Sequence, residues 1–277
     1  MKKLTIRGSL VKRQINKWRE FQRWIDDHSD SGWVFRGLGD RAFNLIPTVG
    51  RKTGYSLAYE LSILELFKLR APEFIATSDK LTLDLLAIAQ HHGAPTRLLD
   101  WTSNPLVAAH FAATGLPARK QSKLLDANGR ASGLPVFVTP AHESVNAQII
   151  AVRLLRSMKV AQDADPFVLT DVRFFWPRAV TTRITDQGGL FSIHPDPTVA
   201  WLPSRHRPSD IFEIPGDMRN FFSKRLFYLG INSQRIMGGL GSVDKGGSQT
   251  GQYLIQGGFW GGYLDPGTDE RRGMGLS

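Results

Sequence analysis

The chain has 277 residues, of which 42% are hydrophobic and 22% charged, and its formal net charge is +10. This composition is typical of a folded globular protein and too apolar for a disordered one. The chain has no cysteine, which excludes disulfide frameworks, thiolate metal sites and thiol nucleophiles. The first residues lack the apolar stretch of a signal peptide, and no apolar run reaches the roughly 18 residues of a membrane span. We therefore expect a cytoplasmic protein with no membrane partner.

The positive net charge favours polyanionic partners, DNA or RNA among them. The lysines and arginines are spread along the chain rather than gathered in one block, so solubility alone explains the charge equally well. Both interpretations stay open at this point.

An amphipathic helix is predicted over 14–27. Its apolar positions recur at helical spacing, and charged side chains occupy the remaining positions. The apolar stripe consists of Ile15, Trp18, Phe21 and Ile25. We place this helix as an appendage to the main domain.

Three more helices are predicted in the first half, at 56–70, at 81–91 and from Pro105 onward. Asn104 supplies a capping side chain directly before the proline, a combination that is typical of a helix start. The polar stretch 117–133 predicts an exposed loop.

Strands dominate the second half, where short β-branched or aromatic runs alternate with turn residues. A short strand is also predicted at 33–36, and one more helix at 218–229. The predicted strands of the second half are 135–138, 149–152, 172–175, 179–184, 189–193 and 210–214. This order predicts an α+β fold, with a helical N-terminal half packed on a mostly antiparallel sheet. We expect one domain over 1–235 and a poorly ordered glycine-rich tail over 236–277.

Arg36 ends the first predicted strand and directly precedes Gly37. The planar guanidinium suits a phosphate or a carboxylate, and a glycine allows another group to approach the backbone closely. A surface salt bridge is the alternative interpretation of this arginine.

The segment 90–112 concentrates polar side chains between two apolar helices. Such groups either satisfy each other or face a ligand. Arg97 and Asp100 are three residues apart and suited to pair with each other. His91 and His92 fit a core or capping role, and their spacing does not predict a metal site.

Together these residues resemble the FRG domain family, which is named after the tripeptide Phe35-Arg36-Gly37. The specific part is Gln90-His91-x-Gly93-x-Pro95-Thr96-Arg97-Leu98-Leu99-Asp100-Trp101-Thr102-Ser103. Pro47, Arg51, Glu60, Ala109, Phe111 and Ala112 belong to the same pattern, which continues through Arg183, Gln187, Gly189, Leu190 and Phe191.

A second resemblance, to NAD-dependent ADP-ribosyltransferases, implies a chemistry and a split sheet. Those enzymes place an arginine or histidine on a first strand, a Ser/Thr-rich strand before a helix that ends in Phe-Ala, and a late Glu or Gln. The implied residues that bind NAD, the substrate, are Arg36, Gly37, Arg97, Thr102 and Ser103. For the catalytic group the resemblance implies Gln187 first, then Glu60, then Glu213.

The resemblance thus implies an ADP-ribosyltransferase, modifying nucleic acid in a toxin or phage-conflict role. Two alternatives stay open. One is a nucleotide- or nucleic-acid-binding module without catalysis. The other is a hydrolase or nuclease that uses His91 or His92 as a general base.

Overall fold

A computed structural model describes most of the chain up to residue 236. The described residues are 2–30, 32–73, 81–117, 120–125, 131–138, 141–178, 189–203, 207–233 and 236. They contain the helices α1 (Lys2–Asp26), α2 (Leu57–Arg70), α3 (Thr82–His91), α4 (Pro105–Thr114) and α5 (Arg219–Tyr228). The strands are β1 (Trp33–Leu38), β2 (Leu98–Thr102), β3 (Lys120–Leu125), β4 (Ala131–Val138), β5 (Ala147–Arg153), β6 (Arg173–Phe175), β7 (Gly189–Ile193) and β8 (Ile211–Ile214).

Six of these strands form one antiparallel sheet in the order β6-β7-β2-β1-β5-β8, and β3 and β4 form a separate hairpin. The helices and the antiparallel sheet confirm the α+β prediction. In the part of the chain that the structure describes, no helix is both long and apolar enough to cross a membrane.

The sheet opens between its two central strands. β1 pairs with β5 along its whole length, from Trp33 opposite Arg153 to Leu38 opposite Gln148. With β2, by contrast, β1 has a single register pair, Phe35 opposite Thr102. The sheet therefore consists of two three-stranded halves, β6-β7-β2 and β1-β5-β8, that separate beyond this contact.

Helix α1 belongs to the hydrophobic core. Its start at Lys2 lies well before the predicted 14–27. Phe21 is fully buried and its ring lies 5.1 Å from the ring of Phe212 on β8 and 5.6 Å from that of Phe222 on α5. The aromatic stripe that predicted this helix thus packs it on the main sheet.

Helix α4 lies unusually close to β1. Asn104 caps it as predicted, since its side-chain oxygen accepts a hydrogen bond from the backbone amide of Leu106. A Cβ atom at Gly37 would lie 1.9 Å from the carbonyl oxygen of Ala108, so only a glycine permits this approach. The alanines on the buried side of α4 keep the helix surface flat enough for the same contact.

Arg219, the first residue of α5, joins several elements from inside the core. Its side chain is fully buried. Among the described residues, it donates hydrogen bonds to backbone carbonyl oxygens only. The acceptors are Gly39 at 2.9 Å, Ala112 at 3.0 Å, Ala113 and His142 at 3.2 Å, Val145 at 3.3 Å, and Gly115. Three of these carbonyls end α4, where a cation also favours the helix dipole. Burial lowers the pKa of this guanidinium.

The remaining predicted elements compare with the structure as follows. The helices predicted at 56–70 and 81–91 are α2 and α3, and the predicted strands other than 179–184 match β1, β4, β5, β6, β7 and β8. The exposed loop predicted over 117–133 is wrong in part, because β3 and the start of β4 fall there. A hairpin ladder consists of backbone hydrogen bonds, which polar residues form as well as apolar ones. The predicted strand 179–184 and the residues after 236 lie outside the described residues.

We predict that Arg219→Met lowers the free energy of unfolding by about 3 kcal/mol, because buried carbonyl groups lose their donor. Urea denaturation measures this change. Arg225→Met is the matched control on the same helix, since Arg225 is exposed, and it should change stability by less than about 1 kcal/mol. Equal losses for both variants would contradict a clamping role for Arg219.

Candidate functional site

Arg36 lies on the face of the sheet opposite α1 and α4. Alternation along β1 places Phe35 in the core with those helices and Arg36 on the other face. One terminal nitrogen of Arg36 donates to the backbone carbonyl oxygen of Asp100 on β2 and lies 3.7 Å from the carboxylate of the same residue. The side chain thus bridges the opening between the two central strands.

The donor capacity of Arg36 is not filled. Its side chain is 16% exposed, and its Nε atom is buried with no hydrogen-bond partner among the described residues. The carboxylate of Asp100 is 66% exposed and neutralises it only weakly. Burial lowers the pKa of Arg36, while the charge of Asp100 raises it and that of Arg51 lowers it. A largely buried cation with an unpaired donor is suited to bind an anion.

Arg51 brings a second cation toward Arg36. It ends a short 3-10 turn, Val49–Arg51, and its Nε donates to the carbonyl oxygen of Ile46 at 2.8 Å. The turn is fixed from two sides. The amide of Val49 donates to the carbonyl of Thr96, and a Cβ atom at Gly50 would lie 1.7 Å from the carbonyl oxygen of Pro197.

His194 and Ser192 form a buried polar pair on the same face as Arg36. The indole Nε1 of Trp101 donates to the hydroxyl oxygen of Ser192 at 2.9 Å, and that oxygen lies 2.9 Å from Nε2 of His194. Burial, followed by the charge of Arg36, lowers the pKa of His194 to about 3. His194 is therefore neutral at pH 7, a polar group beside Arg36 that adds no charge.

The sequence interpretation missed this pair. Ser192 and His194 alternate with the apolar Phe191 and Ile193, and this period-2 pattern was the available signal for a polar face at the end of β7.

Aromatic side chains surround these polar groups. The ring of Trp201 lies 6.0 Å from that of Trp101, 5.8 Å from that of Phe174 and 5.9 Å from that of His194. The amide of Trp201 donates to the carbonyl oxygen of Leu45, which ties its loop to the loop after β1. The surroundings of Arg36 are therefore largely apolar, and charge interactions there are stronger than in water.

Arg97 and Glu60 form a buried ion pair. Arg97 Nε and Nη2 donate to the two oxygens of Glu60 at 2.9 and 2.7 Å, and both side chains are almost fully buried. Arg97 also donates to the carbonyl oxygens of Pro166 and Pro195, and the hydroxyl of Tyr55 donates to Glu60. Burial, followed by the charge of Glu60, raises the pKa of Tyr55 to about 12.

The predicted pairing of Arg97 with Asp100 is therefore wrong. Successive strand residues point to opposite faces, and Arg97 lies just before β2 with its side chain directed to α2, whereas Asp100 meets Arg36. The ion pair saturates both Arg97 and Glu60. This geometry favours a role in positioning the loop after β7, through Pro195, over direct contact with a ligand.

Gly37, Thr102 and Ser103 were predicted to bind NAD. The group that approaches the backbone at Gly37 is helix α4, which leaves no space for a ligand on that side. Thr102 is buried at the end of β2, and its hydroxyl oxygen accepts from the amide of Asn104 at 3.0 Å. Ser103 follows it and is exposed. Thr102 thus lies at the single register pair that joins β1 to β2, and Ser103 directly follows it.

The catalytic candidates are not brought together with Arg36 by the described contacts. Glu213 on β8 accepts from Asn146 at 2.6 Å and from Arg41 at 3.3 Å. His91 ends α3, with its ring 5.2 Å from that of His92. Gln187 lies outside the described residues. No group of three metal-binding side chains occurs within the described part of the chain.

We predict strong coupling between Arg97 and Glu60 in a double-mutant cycle. Arg97→Met and Glu60→Leu should each lower the free energy of unfolding by about 3–5 kcal/mol, because each leaves a buried charge without its partner. The double variant should lose less than the sum of the two. Urea denaturation of the four proteins measures the coupling, and additive losses would contradict a buried pair.

We also predict a pH dependence of stability that comes from His194. Its pKa of about 3 in the folded protein lies below the unfolded value of about 6.5, so the unfolded chain binds a proton that the folded protein does not. Stability should therefore fall as the pH drops from 6.5 toward 3, by up to about 1.4 kcal/mol per pH unit. Urea denaturation at several pH values should show a shallower dependence in His194→Gln than in the wild type. Identical slopes would contradict a buried neutral histidine.

Comparison with known proteins identifies one family. Residues 31–121 match the family model of the FRG domain, which confirms the resemblance seen in the sequence. The match contains β1, α2, α3, β2 and α4, with both Arg36 and Arg51, and it ends before β5 to β8. The chain matches no curated protein and no solved structure.

Proposed function

Since residues 31–121 match the family model of the FRG domain, we propose that the opening between β1 and β2 binds NAD and transfers its ADP-ribose group to an acceptor. The single observation that carries this proposal is Arg36, a largely buried and incompletely paired guanidinium beside the opening of the sheet.

Three further features support it. An arginine on the first strand, hydroxyl residues at the end of the adjacent strand and a following helix that contains Phe111-Ala112 occur in the order that the transferase resemblance implies. These elements are neighbours in space, because Phe35 pairs with Thr102. The two halves of the sheet separate at the same place, as a split sheet would.

In the proposed reaction Arg36 holds the diphosphate of NAD by charge-assisted hydrogen bonds. The bond between the ribose C1′ and the nicotinamide nitrogen breaks, and its electron pair stays on nicotinamide, which leaves as a neutral molecule. A nucleophile of the acceptor forms the new bond to C1′ and releases its proton to a base. Positive charge develops on the sugar, so a carboxylate or an amide oxygen is the natural stabilising group.

Gln187 remains our first candidate for this group. Glu60 is occupied by Arg97, and Glu213 by Asn146 and Arg41. Gln187 precedes β7 by two residues in the sequence, and β7 begins at Gly189, the register partner of Thr102. The net charge of +10 favours DNA or RNA as the acceptor, in a toxin or phage-conflict setting.

A binding module without catalysis is the second candidate. The observation in its favour is that both candidate glutamates are hydrogen-bonded to other side chains. Such a module would bind NAD or another nucleotide at Arg36 and release no nicotinamide.

We predict that Arg36→Gln weakens NAD binding at least tenfold and abolishes transfer, because a charged hydrogen bond contributes about 1.5–3 kcal/mol. The test incubates NAD with DNA, RNA and protein acceptors separately and measures nicotinamide release and labelled acceptor. Arg153→Gln is the control, since Arg153 lies on the neighbouring β5 in an exposed pair with Asp30.

The outcomes separate the two candidates. No nicotinamide release from the wild type, together with an NAD-dependent rise in melting temperature, would reject the transferase and support the binding module. Absence of both nicotinamide release and stabilisation by NAD would reject the transferase and an NAD-binding module, and absence of stabilisation by any nucleotide would reject the binding module altogether. Equal effects of the two substitutions would exclude Arg36 as the residue that binds NAD.

A further inference from the structure

Arg51 is an exposed cation whose terminal nitrogens have no hydrogen-bond or ion-pair partner among the described residues. Its Nε is bound to the carbonyl oxygen of Ile46, and within the described residues no carboxylate forms an ion pair with it. The single hydrogen bond through Nε orients the guanidinium and leaves both terminal nitrogens free to donate to a ligand.

The backbone that carries Arg51 is fixed. Val49, two residues earlier, is fully buried, and its amide donates to the carbonyl oxygen of Thr96, close to the start of β2. Gly50 lies directly against the carbonyl of Pro197. The guanidinium therefore projects from a rigid turn at the same end of β2 and β7 that holds Arg97 and His194.

Within the described part of the chain, no carboxylate pairs with both Arg36 and Arg51. Asp100 pairs with Arg36 there, at 3.7 Å and with a largely exposed carboxylate. Arg51 is bonded to Ile46, and the adjacent Leu45 packs with Val34 and Leu38 in the cluster on the face of β1 that carries Arg36. Burial lowers the pKa of Arg36, and the charge of Arg51 lowers it further, which agrees with this placement. Two neighbouring like charges repel each other, the exposed carboxylate of Asp100 offsets this repulsion only weakly, and a bound anion removes it.

We propose that Arg36 and Arg51 together form a diphosphate-binding site, in which each guanidinium holds one phosphate group of a dinucleotide. This inference rests on the proposed function for the identity of the dinucleotide, NAD, but assigns Arg51 as a second binding residue. Arginine suits this role because its planar donors match the oxygens of a phosphate group. Two arginines on separate elements would also make the site prefer a diphosphate to a single phosphate group, because a single phosphate group contacts only one of them.

The experiment measures the affinities of inorganic phosphate, pyrophosphate and NAD by calorimetry. The proteins are the wild type, Arg36→Gln, Arg51→Gln and Lys52→Gln, with folding checked by circular dichroism and thermal unfolding. Lys52 is the matched control, because it is the next residue along, exposed and equally charged. If the loss of any nearby positive charge weakens anion binding, the affinity of Lys52→Gln falls as much as that of Arg51→Gln.

We expect the wild type to bind pyrophosphate at least tenfold more tightly than phosphate. Arg51→Gln should weaken pyrophosphate and NAD about tenfold, the equivalent of one charged hydrogen bond, and leave phosphate nearly unchanged. Lys52→Gln should change each affinity less than about twofold. The preference for pyrophosphate should therefore disappear in Arg51→Gln and in Arg36→Gln and persist in Lys52→Gln.

Three results would overturn the inference. In the first, the wild type does not bind pyrophosphate. In the second, Arg51→Gln and Lys52→Gln weaken binding equally. In the third, Arg51→Gln loses as much affinity for phosphate as for pyrophosphate. Failure of the proposed function has a different signature, because pyrophosphate and NAD then bind as expected while no nicotinamide is released.

Discussion

The contact between α4 and β1 is the constraint on which the rest of the structure depends. Gly37 lies against the carbonyl of Ala108, so the helix packs at backbone distance on one face of the strand. The same face carries Phe35 and the aromatic side chains of α1, and Arg36 is thereby directed to the other face. Arg219 then fixes the end of α4 through its terminal carbonyls. The three residues Phe35, Arg36 and Gly37 thus serve core packing, the candidate site and helix docking, respectively.

The polar side chains of the segment 90–112 divide into two groups with different roles. Arg97 lies inside the protein and is fully paired with Glu60, and its bond to Pro195 holds the loop that follows β7. Thr102 and Ser103 lie at the other end of β2, where Thr102 opposite Phe35 is the single register pair that joins β1 to β2. The polar side chains of this segment therefore include a buried support for the loop after β7 as well as the junction between the two halves of the sheet.

Much of the fold could be predicted from the sequence, because its signals are local. Helical periodicity identified α1 and α2, a nearly continuous apolar run identified α3, and Asn104 with Pro105 marked the start of α4. The pairing of Arg97 with Glu60 joins residues 37 positions apart, and no local pattern shows which carboxylate an arginine will meet. The position of the turn that carries Arg51, against the residues before β2, depends on tertiary structure in the same way. Residues 120–125 were missed because a polar strand in a hairpin carries no apolar alternation.

The single register contact between β1 and β2 has a mechanical consequence. Backbone hydrogen bonds hold each half of the sheet together, but across the opening the described contacts are mainly between side chains. The hydrophobic cluster that spans it combines Val34 and Ile150 from one half with Leu99, Trp101 and Leu190 from the other. The width of the opening is therefore set by side-chain volume rather than by the fixed spacing of a ladder. Substitutions in this cluster that keep the fold will tune the distance between Arg36 and β2, and with it the size of ligand that the opening accepts.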